Sequence, residues 1–454
     1  MKEDNIIDRF NRWVQESITV KLFTIGFLLL VLLIPLSLIE DLINERQQRS
    51  EEVQLDITSK WSGAQTICGP IIVLPYKKLE TLTRKDGTTE MIEVDDRIFL
   101  APEELAIAGS VAPQVLHRGI FEAVVYESEL KLTARYVAPD FTSLEVDPGK
   151  VNWAGAQLVA GISDLRGVSE NPGIKLGNET LVVDPSSEVG FYYGAKSETG
   201  LSAPLKLKGA DDLNQPVSVS LHLKGSRAMN FTPIGKTTKA ELQGPWQNPS
   251  FDGEFLPQSR SIGENGFNAS WTVLHFNRPF VQQWKQSGKF IGGSDFGVNL
   301  LIPVEQYQKS MRTYKYGVLV ILLTFISLFL VEISMRVRIH PFQYTLIGAA
   351  LIIYYTLLLS FAEQVGYNMA YFIASAATIL LVSLYSRTFL PSVKSVALFA
   401  SILTASYVFI LIIIIQQDFS LLIGSVGLFL IIGTIMYLTR RINWYRDSIE
   451  QATT

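Results

Sequence analysis

One cysteine among 454 residues, Cys68, excludes an intramolecular disulfide and any cysteine-rich metal site. The four histidines, at 117, 222, 275 and 340, are too scattered for metal-ligand spacing. Charged residues make up only 18% of the chain and the formal net charge is −4, so nothing points to nucleic acid. There is no GxSxG elbow, HExxH helix, GxxxxGKS/T loop or GxGxxG fingerprint. Aspartates and glutamates are frequent but dispersed, and no pair stands apart from ordinary surface charge. These absences lead us to expect a protein that is not an enzyme, with no catalytic residues, cofactor or metal.

What the chain has in excess is long apolar runs. Five follow one another in the last third: Tyr316–Met335, Phe342–Phe361, Asn368–Tyr385, Ser395–Ile415 and Phe419–Leu438. Each is 18–21 residues long, enough to cross a hydrocarbon core of roughly 30 Å. A sixth, Leu22–Ile39, follows a basic N-terminus. A signal peptide would need small residues at its cleavage site, and the first alanine is Ala64, so this run reads as an uncleaved anchor. Before it, Ile6, Ile7, Phe10, Trp13 and Val14 share one helical face, the spacing of an interfacial amphipathic helix in residues 1–21.

Six spans put both termini on one side of the membrane. Lys2, Arg9, Arg12, Lys21, Arg336, Arg338, Arg387, Lys394, Arg440, Arg441 and Arg446 all flank spans on that side. The opposite connections, Ala362–Tyr367 and Gln416–Asp418, contain no Lys or Arg. The positive-inside rule then makes both ends cytoplasmic and exports residues 40–315.

The exported stretch has two textures. Residues 40–60 are polar and free of Gly and Pro, and read as a stalk helix. From Trp61 onward, short alternating runs are broken by Gly, Pro, Asn and Asp. Val217–Lys224 alternates strictly, as a half-buried strand must. Ile120–Tyr136, Leu181–Val183, Leu201–Leu207 and Phe267–Phe276 read as further strands, and Gln282–Gly288 as a short helix. Phe99-Leu100-Ala101-Pro102 before Gly119, and Phe255-Leu256-Pro257 before Gly266, hint at two related β units. The expected architecture is an α+β membrane protein. A β-rich, sandwich-like domain (61–315) is inserted between the first helix and a five-helix bundle (316–438), with a short tail at 439–454.

Polar groups at the membrane edges are the other candidates, because ionisable groups are costly there. Glu332 precedes Arg336 by four residues, the spacing of an ion pair on one helix. His340-Pro341 opens a span, with Pro341 suited to the first helical turn. No charged residue falls at the middle of any span, which argues against an ion-driven transporter.

The ordered motifs along the chain resemble one family. They include Ile43-Asn44-Glu45-Arg46, Trp61-Ser62-Gly63-Ala64-Gln65-Thr66, Arg118-Gly119-Ile120-Phe121 and Asp164-Leu165-Arg166-Gly167. They continue through Pro249-Ser250-Phe251-Asp252-Gly253-Glu254-Phe255-Leu256-Pro257, Asp295-Phe296-Gly297-Val298 and Arg338-Ile339-His340-Pro341-Phe342-Gln343-Tyr344 to Thr439-Arg440-Arg441-Ile442-Asn443-Trp444. The chain resembles the CreD family of bacterial inner-membrane proteins, associated with cell-envelope integrity, over nearly its whole length. The resemblance implies a Gram-negative inner membrane, a periplasmic domain between the first two spans, and control by a two-component system. It implies no reaction and transfers no catalytic or ligand residue.

Three functions follow as expectations. The first is a non-enzymatic protein whose periplasmic β domain binds an envelope component or partner protein. The second is transfer of a lipid or other hydrophobic molecule from the bundle to the β domain, and the third is an envelope-stress sensor. The lipid bilayer is the one partner the sequence itself supplies, and it fixes no oligomeric state. Candidate functional residues are Arg118, Arg166, Trp246 and Phe251 in the exported domain, and His340, Gln343 and Glu363 at the membrane edge.

Overall fold

The computed structural model describes residues 18–83, 89–193, 199–285, 288–300, 305–335, 337–416 and 419–440. The amphipathic stretch read at Ile6–Val14 lies outside them, as does the tail after Arg440. The chain divides into two compact units, one of residues 50–303 and the other of residues 1–49 with 304–454.

Helix α1, Ile18–Trp61, belongs to both. Its 44 residues correspond to about 66 Å of helix, and it continues through Pro35. The apolar run and the polar run after it are therefore one element.

The helical unit adds α2 (Glu305–Lys315), α3 (Gly317–Met335), α4 (Pro341–Val365), α5 (Tyr367–Ser386), α6 (Val393–Ile415) and α7 (Ser420–Thr439). Among the described residues, six helices are long and apolar enough to cross a membrane, and the five after residue 315 fall on the five apolar runs. Leu32, Leu36, Ile39 and Ile43 recur at helical spacing on the buried stripe of α1. Leu32 sits against Gly348 of α4, where a β-carbon would come within 2.3 Å of its Cδ1. A single residue, Gly366, separates α4 from α5. Its φ of 77° reverses the chain at a point where other residues would be strained.

The β unit contains nineteen strands among the described residues. The first sheet runs β14 (Pro249–Gly253), β19 (Phe296–Leu300), β12 (Ala228–Phe231), β1 (Gln65–Thr83), β5 (Gln157–Ile162), β10 (Gly200–Pro204) and β8 (Asp184–Ser186). Strand β2 (Thr89–Leu100) also pairs with β1, and β17 (Gln283–Lys285) pairs with β2. The second sheet runs β15 (Ser259–Gly263), β16 (Gly266–Leu274), β13 (Thr237–Gly244), β3 (Glu104–Arg118), β4 (Phe121–Arg135), β11 (Val217–Ser226), β6 (Gly173–Leu176) and β7 (Glu179–Leu181). Most pairs are antiparallel, but β1 with β12 and β3 with β13 are parallel.

Alternation builds the core. On β11, Val217, Val219, Leu221 and Leu223 are buried, while Ser220 is exposed and Ser218, His222 and Lys224 are half-buried. The apolar faces of both sheets enter one core, as in a sandwich. Trp271 anchors it, with its ring 5.4 Å from Phe296 and 5.8 Å from Phe251, and its indole N–H donating to Phe255 O at 3.1 Å. Both Leu-Pro corners occupy matching places, each leading from the first sheet into a hairpin of the second (β2 into β3–β4, β14 into β15–β16).

One local reading changes. Within Gln282–Gly288, residues 283–285 form a strand rather than a helix. Trp284 lies opposite Phe99 and stacks on it at 5.4 Å, so a cross-strand aromatic pair overrides the weak helical spacing. Near it, Arg278 is buried and donates to Ile234 O, Gly235 O and Phe280 O. Burial pushes its pKa down to about 10.

Replacing Trp271 by Ala should cost about 3–5 kcal/mol, since it opens a cavity where both sheets meet. Thermal unfolding of the full chain in detergent measures this; a loss below about 1 kcal/mol would mean that Trp271 does not hold the sheets together.

Candidate functional site

The end of α1 enters a polar knot. Gln65, the first residue of β1, is fully buried, yet its amide is completely engaged. Its Nε2 donates to Ser62 Oγ (3.0 Å), Asp164 O (2.9 Å) and Lys224 O (3.1 Å). Its Oε1 accepts from Ser163 Oγ (3.2 Å) and Asp164 N (3.3 Å). One side chain thus ties the helix end, the turn before Arg166 and the end of β11. Ser226, also fully buried, adds bonds from Oγ to Ser62 O (2.7 Å) and from its N–H to Gly63 O (3.1 Å). A buried amide with every donor and acceptor met fixes one geometry, because any shift would leave a polar atom unpaired.

Arg166 closes the knot from outside. Its guanidinium grips Asp164 with two bonds, Nε to Oδ1 at 2.9 Å and Nη2 to Oδ2 at 2.7 Å. Its Nη1 donates to Ser59 O at 2.9 Å, one of the carbonyls that the end of α1 leaves open. A cation there also meets the negative end of the helix dipole. Asp164 Oδ2 accepts from Gly63 N at 2.9 Å. The Arg166 hydrogen bonds, helped by the Gly63 and Arg166 amides and opposed by burial, hold the Asp164 carboxyl well below the usual carboxylate range. Gly167 is required beside it, as a β-carbon would lie 2.3 Å from both Gln65 Nε2 and Lys224 O.

Arg118, at the tip of the β3–β4 hairpin, reaches the same helix one turn earlier and pairs with Asp56. Asp56 also takes Lys60 Nζ at 3.0 Å. The structure therefore brings Arg118 and Arg166 together on the last turns of α1. Trp246 and Phe251 lie elsewhere. Trp246 is half-buried and donates to Asn248 O at 3.1 Å. Phe251 packs edge-on against Phe267 and Trp271 as part of the sandwich core.

In the helical unit, His340 and Gln343 cap α4. His340 Nδ1 accepts from Phe342 N (3.2 Å), and Gln343 Oε1 accepts from His340 N (2.9 Å), a capping box that satisfies two amides at the helix start. Glu363 accepts from the hydroxyl of buried Tyr307 at 3.1 Å. Glu332 is buried and bonded beyond its own helix. Lys21 Nζ (2.7 Å) and Ile339 N (3.1 Å) reach one carboxylate oxygen, and Tyr344 OH (3.0 Å) reaches the other. Arg336, its expected same-helix partner, lies outside the described residues. Burial of the carboxylate explains these contacts, since a buried anion needs several converging donors.

A concavity of about 420 Å³, lined by both polar residues and Leu130, Leu221 and Leu242, opens on the second sheet. Glu129, Lys131, Ser220, His222, Glu241 and Gln243 line it, around the small residues Ala108 and Gly109 of β3. His222 Nδ1 lies 3.1 Å from Glu170. Among the described residues no cluster of His, Cys, Asp and Glu is arranged to hold a metal. Cys68 is fully buried, and burial pushes its thiol pKa upward, so it packs as a small apolar group.

A family model described as Inner membrane protein CreD matches residues 17–445. The chain belongs to the CreD family. A relative named Inner membrane protein CreD, from Escherichia coli (strain K12), is 30% identical over 426 residues, 93% of this chain and 92% of that one. Solved structures of an M1 zinc metallopeptidase from Deinococcus radiodurans overlap 38% of each chain, at TM-scores of 0.20 and 0.19 and identities of 9% and 8%. Overlap that slight carries no argument about fold or activity. Membership in CreD makes the protein an inner-membrane protein, consistent with its six candidate spans. In this CreD-family chain, the signal for the knot was Gln65 and Asp164 standing inside motifs otherwise read only for Trp61 and Arg166.

Two outcomes test the geometry. Asp164 has a lowered pKa in the folded chain, so its stabilisation is full above the ordinary carboxylate range, about pH 4, and fades as pH falls below it. Asp164→Asn should therefore lower stability at pH 7 and flatten the loss between pH 5 and pH 3 (roughly); an unchanged acid limb would remove Asp164 from the account. Lys21→Met should cost about 1–3 kcal/mol by removing an ammonium from the buried Glu332 carboxylate, less than for a fully enclosed pair because Lys21 keeps 27% exposure. Adding Glu332→Gln should recover part of that loss, and strictly additive losses would show that the two residues act separately.

Proposed function

We propose that this is a non-enzymatic inner-membrane protein whose β unit faces the periplasm, binds an envelope component or partner protein, and thereby serves envelope integrity. The observation that carries the reading is the knot at the end of α1. The helix that begins as the first span finishes locked into the β unit by Gln65, Asp164 and Arg166, with Arg118 gripping Asp56 alongside. Such a joint suits a module held in place and able to pass load along a helix. The carboxylate with the largest downward pKa shift, Asp164, is committed to that joint, which favours binding over catalysis. The Lys and Arg bias of the span-flanking segments supports a periplasmic β unit with both termini in the cytoplasm.

The mixed-charge concavity around Glu129, Lys131 and Glu241 is the face we assign to the partner. Its charged side chains suit a ligand that carries polar groups. The sandwich interior is filled by side chains such as Trp271, Tyr126, Phe231 and Phe296, which opposes a lipid-carrying cavity there.

Photo-crosslinkers at Ser220 and Gln243 in living cells should give discrete protein or envelope-polymer adducts. Adducts to lipid from the inward positions Val219 and Trp271 would instead support lipid transfer. A β unit fused to an unrelated anchor should restore envelope resistance in a deletion strain only if the helix through Trp61 is kept. Rescue without that segment would sink the coupling role.

A further inference from the structure

Strand β3 carries only small side chains on one face for four alternate positions, Ala106, Ala108, Ser110 and Ala112. Its neighbours β4 and β13 carry long ones there. By register, Ala108 lies between Lys131 and Glu241, and Ser110 between Glu129 and Gln243. Small residues flanked by long ones make a floor with two walls, and these residues line the concavity. On the other face of β3, a β-carbon on Gly109 would come within 2.7 Å of the Leu130 side chain and 2.8 Å of the Leu242 side chain. The core is therefore filled directly beneath the floor.

The two walls carry opposite charges. Lys131 and Glu241 are both exposed, and neither makes an ion pair among the described residues. They flank Ala108 from two sides, so their backbones stand two strand spacings apart, about 10 Å. Glu129, by contrast, has His222 Nε2 at 3.9 Å, and His222 Nδ1 has Glu170 at 3.1 Å. Ser110 and Gln243 add a neutral hydroxyl and a neutral amide beside the charged pair.

Opposite charges on opposite walls select a ligand that is itself a zwitterion, with its two charges separated by the width of the floor. We propose that the concavity takes a three-residue peptide with free ends, lying across β3 with its carboxylate at Lys131 and its ammonium at Glu241. An extended tripeptide measures about 10 Å from end to end, the separation of the walls. A volume of about 420 Å³ admits a ligand of that size. Other ligand classes match the lining less well. No Trp, Tyr or Phe lines it to stack on a sugar ring. A phosphate ester would meet two carboxylates for one lysine, and an acyl chain would strip water from all three charges. This ligand class rests on the assignment of the concavity to the partner made above.

Saturation-transfer nuclear magnetic resonance on the full chain in lipid nanodiscs, with tri-alanine as the probe, tests the site. Tri-alanine should bind, and N-acetyl-tri-alanine amide, which has neither charge, should bind at least about tenfold more weakly. Lys131→Glu and Glu241→Lys should each weaken tri-alanine binding about tenfold. The double exchange should restore it, because the peptide then binds the other way round. Equal binding of the blocked peptide, single exchanges without effect, or a double exchange that fails to restore binding would overturn the proposal. So would a lack of tri-alanine binding. In that case adducts from a photo-crosslinker at Gln243 in cells would keep the partner-binding reading and discard only this ligand, whereas absence of both would discard the two together. Both exchanged residues are exposed, and the blocked-peptide comparison uses the unaltered chain, so a variant that fails to fold leaves the outcome decided.

Discussion

A single buried amide organises the junction on which the account rests. Gln65 has no access to solvent, so each of its hydrogen bonds must be made inside the protein or forfeited. Its partners come from the last residues of α1, from the turn before Arg166 and from the end of β11. Moving any one segment would strand donors and acceptors in the other two. Apolar packing tolerates small slides, whereas this network does not, and Gly167 leaves it no slack. Arg166 and Arg118 then add charge from the rim, where solvent keeps each pair individually weak. The amide sets the geometry, and the arginines reinforce it.

The helical unit uses the same logic in a setting where unpaired groups cost more. Its buried carboxylate, Glu332, collects an ammonium, a backbone amide and a phenol. At the other end of α4, Glu363 takes the Tyr307 hydroxyl, and Tyr314 reaches Glu40 at 3.0 Å. Between them the polar groups are neutral hydroxyls. Charge is kept to the rims and hydroxyls to the interior, as the cost of burying each kind would dictate.

Spans and sandwich were legible because each is written in a period that one face must obey. Five apolar runs of span length correspond to α3 to α7, and strict alternation at Val217–Lys224 marks β11. The helix reading of Gln282–Gly288 failed because a three-residue strand is too short to show a period. Its state is decided by Trp284 stacking on Phe99, nearly two hundred residues away in sequence. Nor could spacing along the chain show that Lys21 is brought to Glu332 by folding. Among the candidate residues, the motifs picked out Arg118 and Arg166, but only the fold shows that both close on one helix. His340 and Gln343 were readable as a cap, since Pro341 already marks a helix start. Trp246 and Phe251 are explained by packing and local hydrogen bonding alone.

The central claim is that the end of α1 is held in one position within the β unit. Cys68 is the sole native cysteine and is buried, so spin labels can be placed at Glu52→Cys on α1 and Glu104→Cys on β3, both exposed. Pulsed electron spin resonance on the full chain would then read their distance distribution. The account predicts one narrow distance, broadened when Gly167→Val breaks the contacts of Gln65 while the rest of the sandwich is retained. A broad distribution in the unaltered chain, or one that Gly167→Val leaves unchanged, would contradict it.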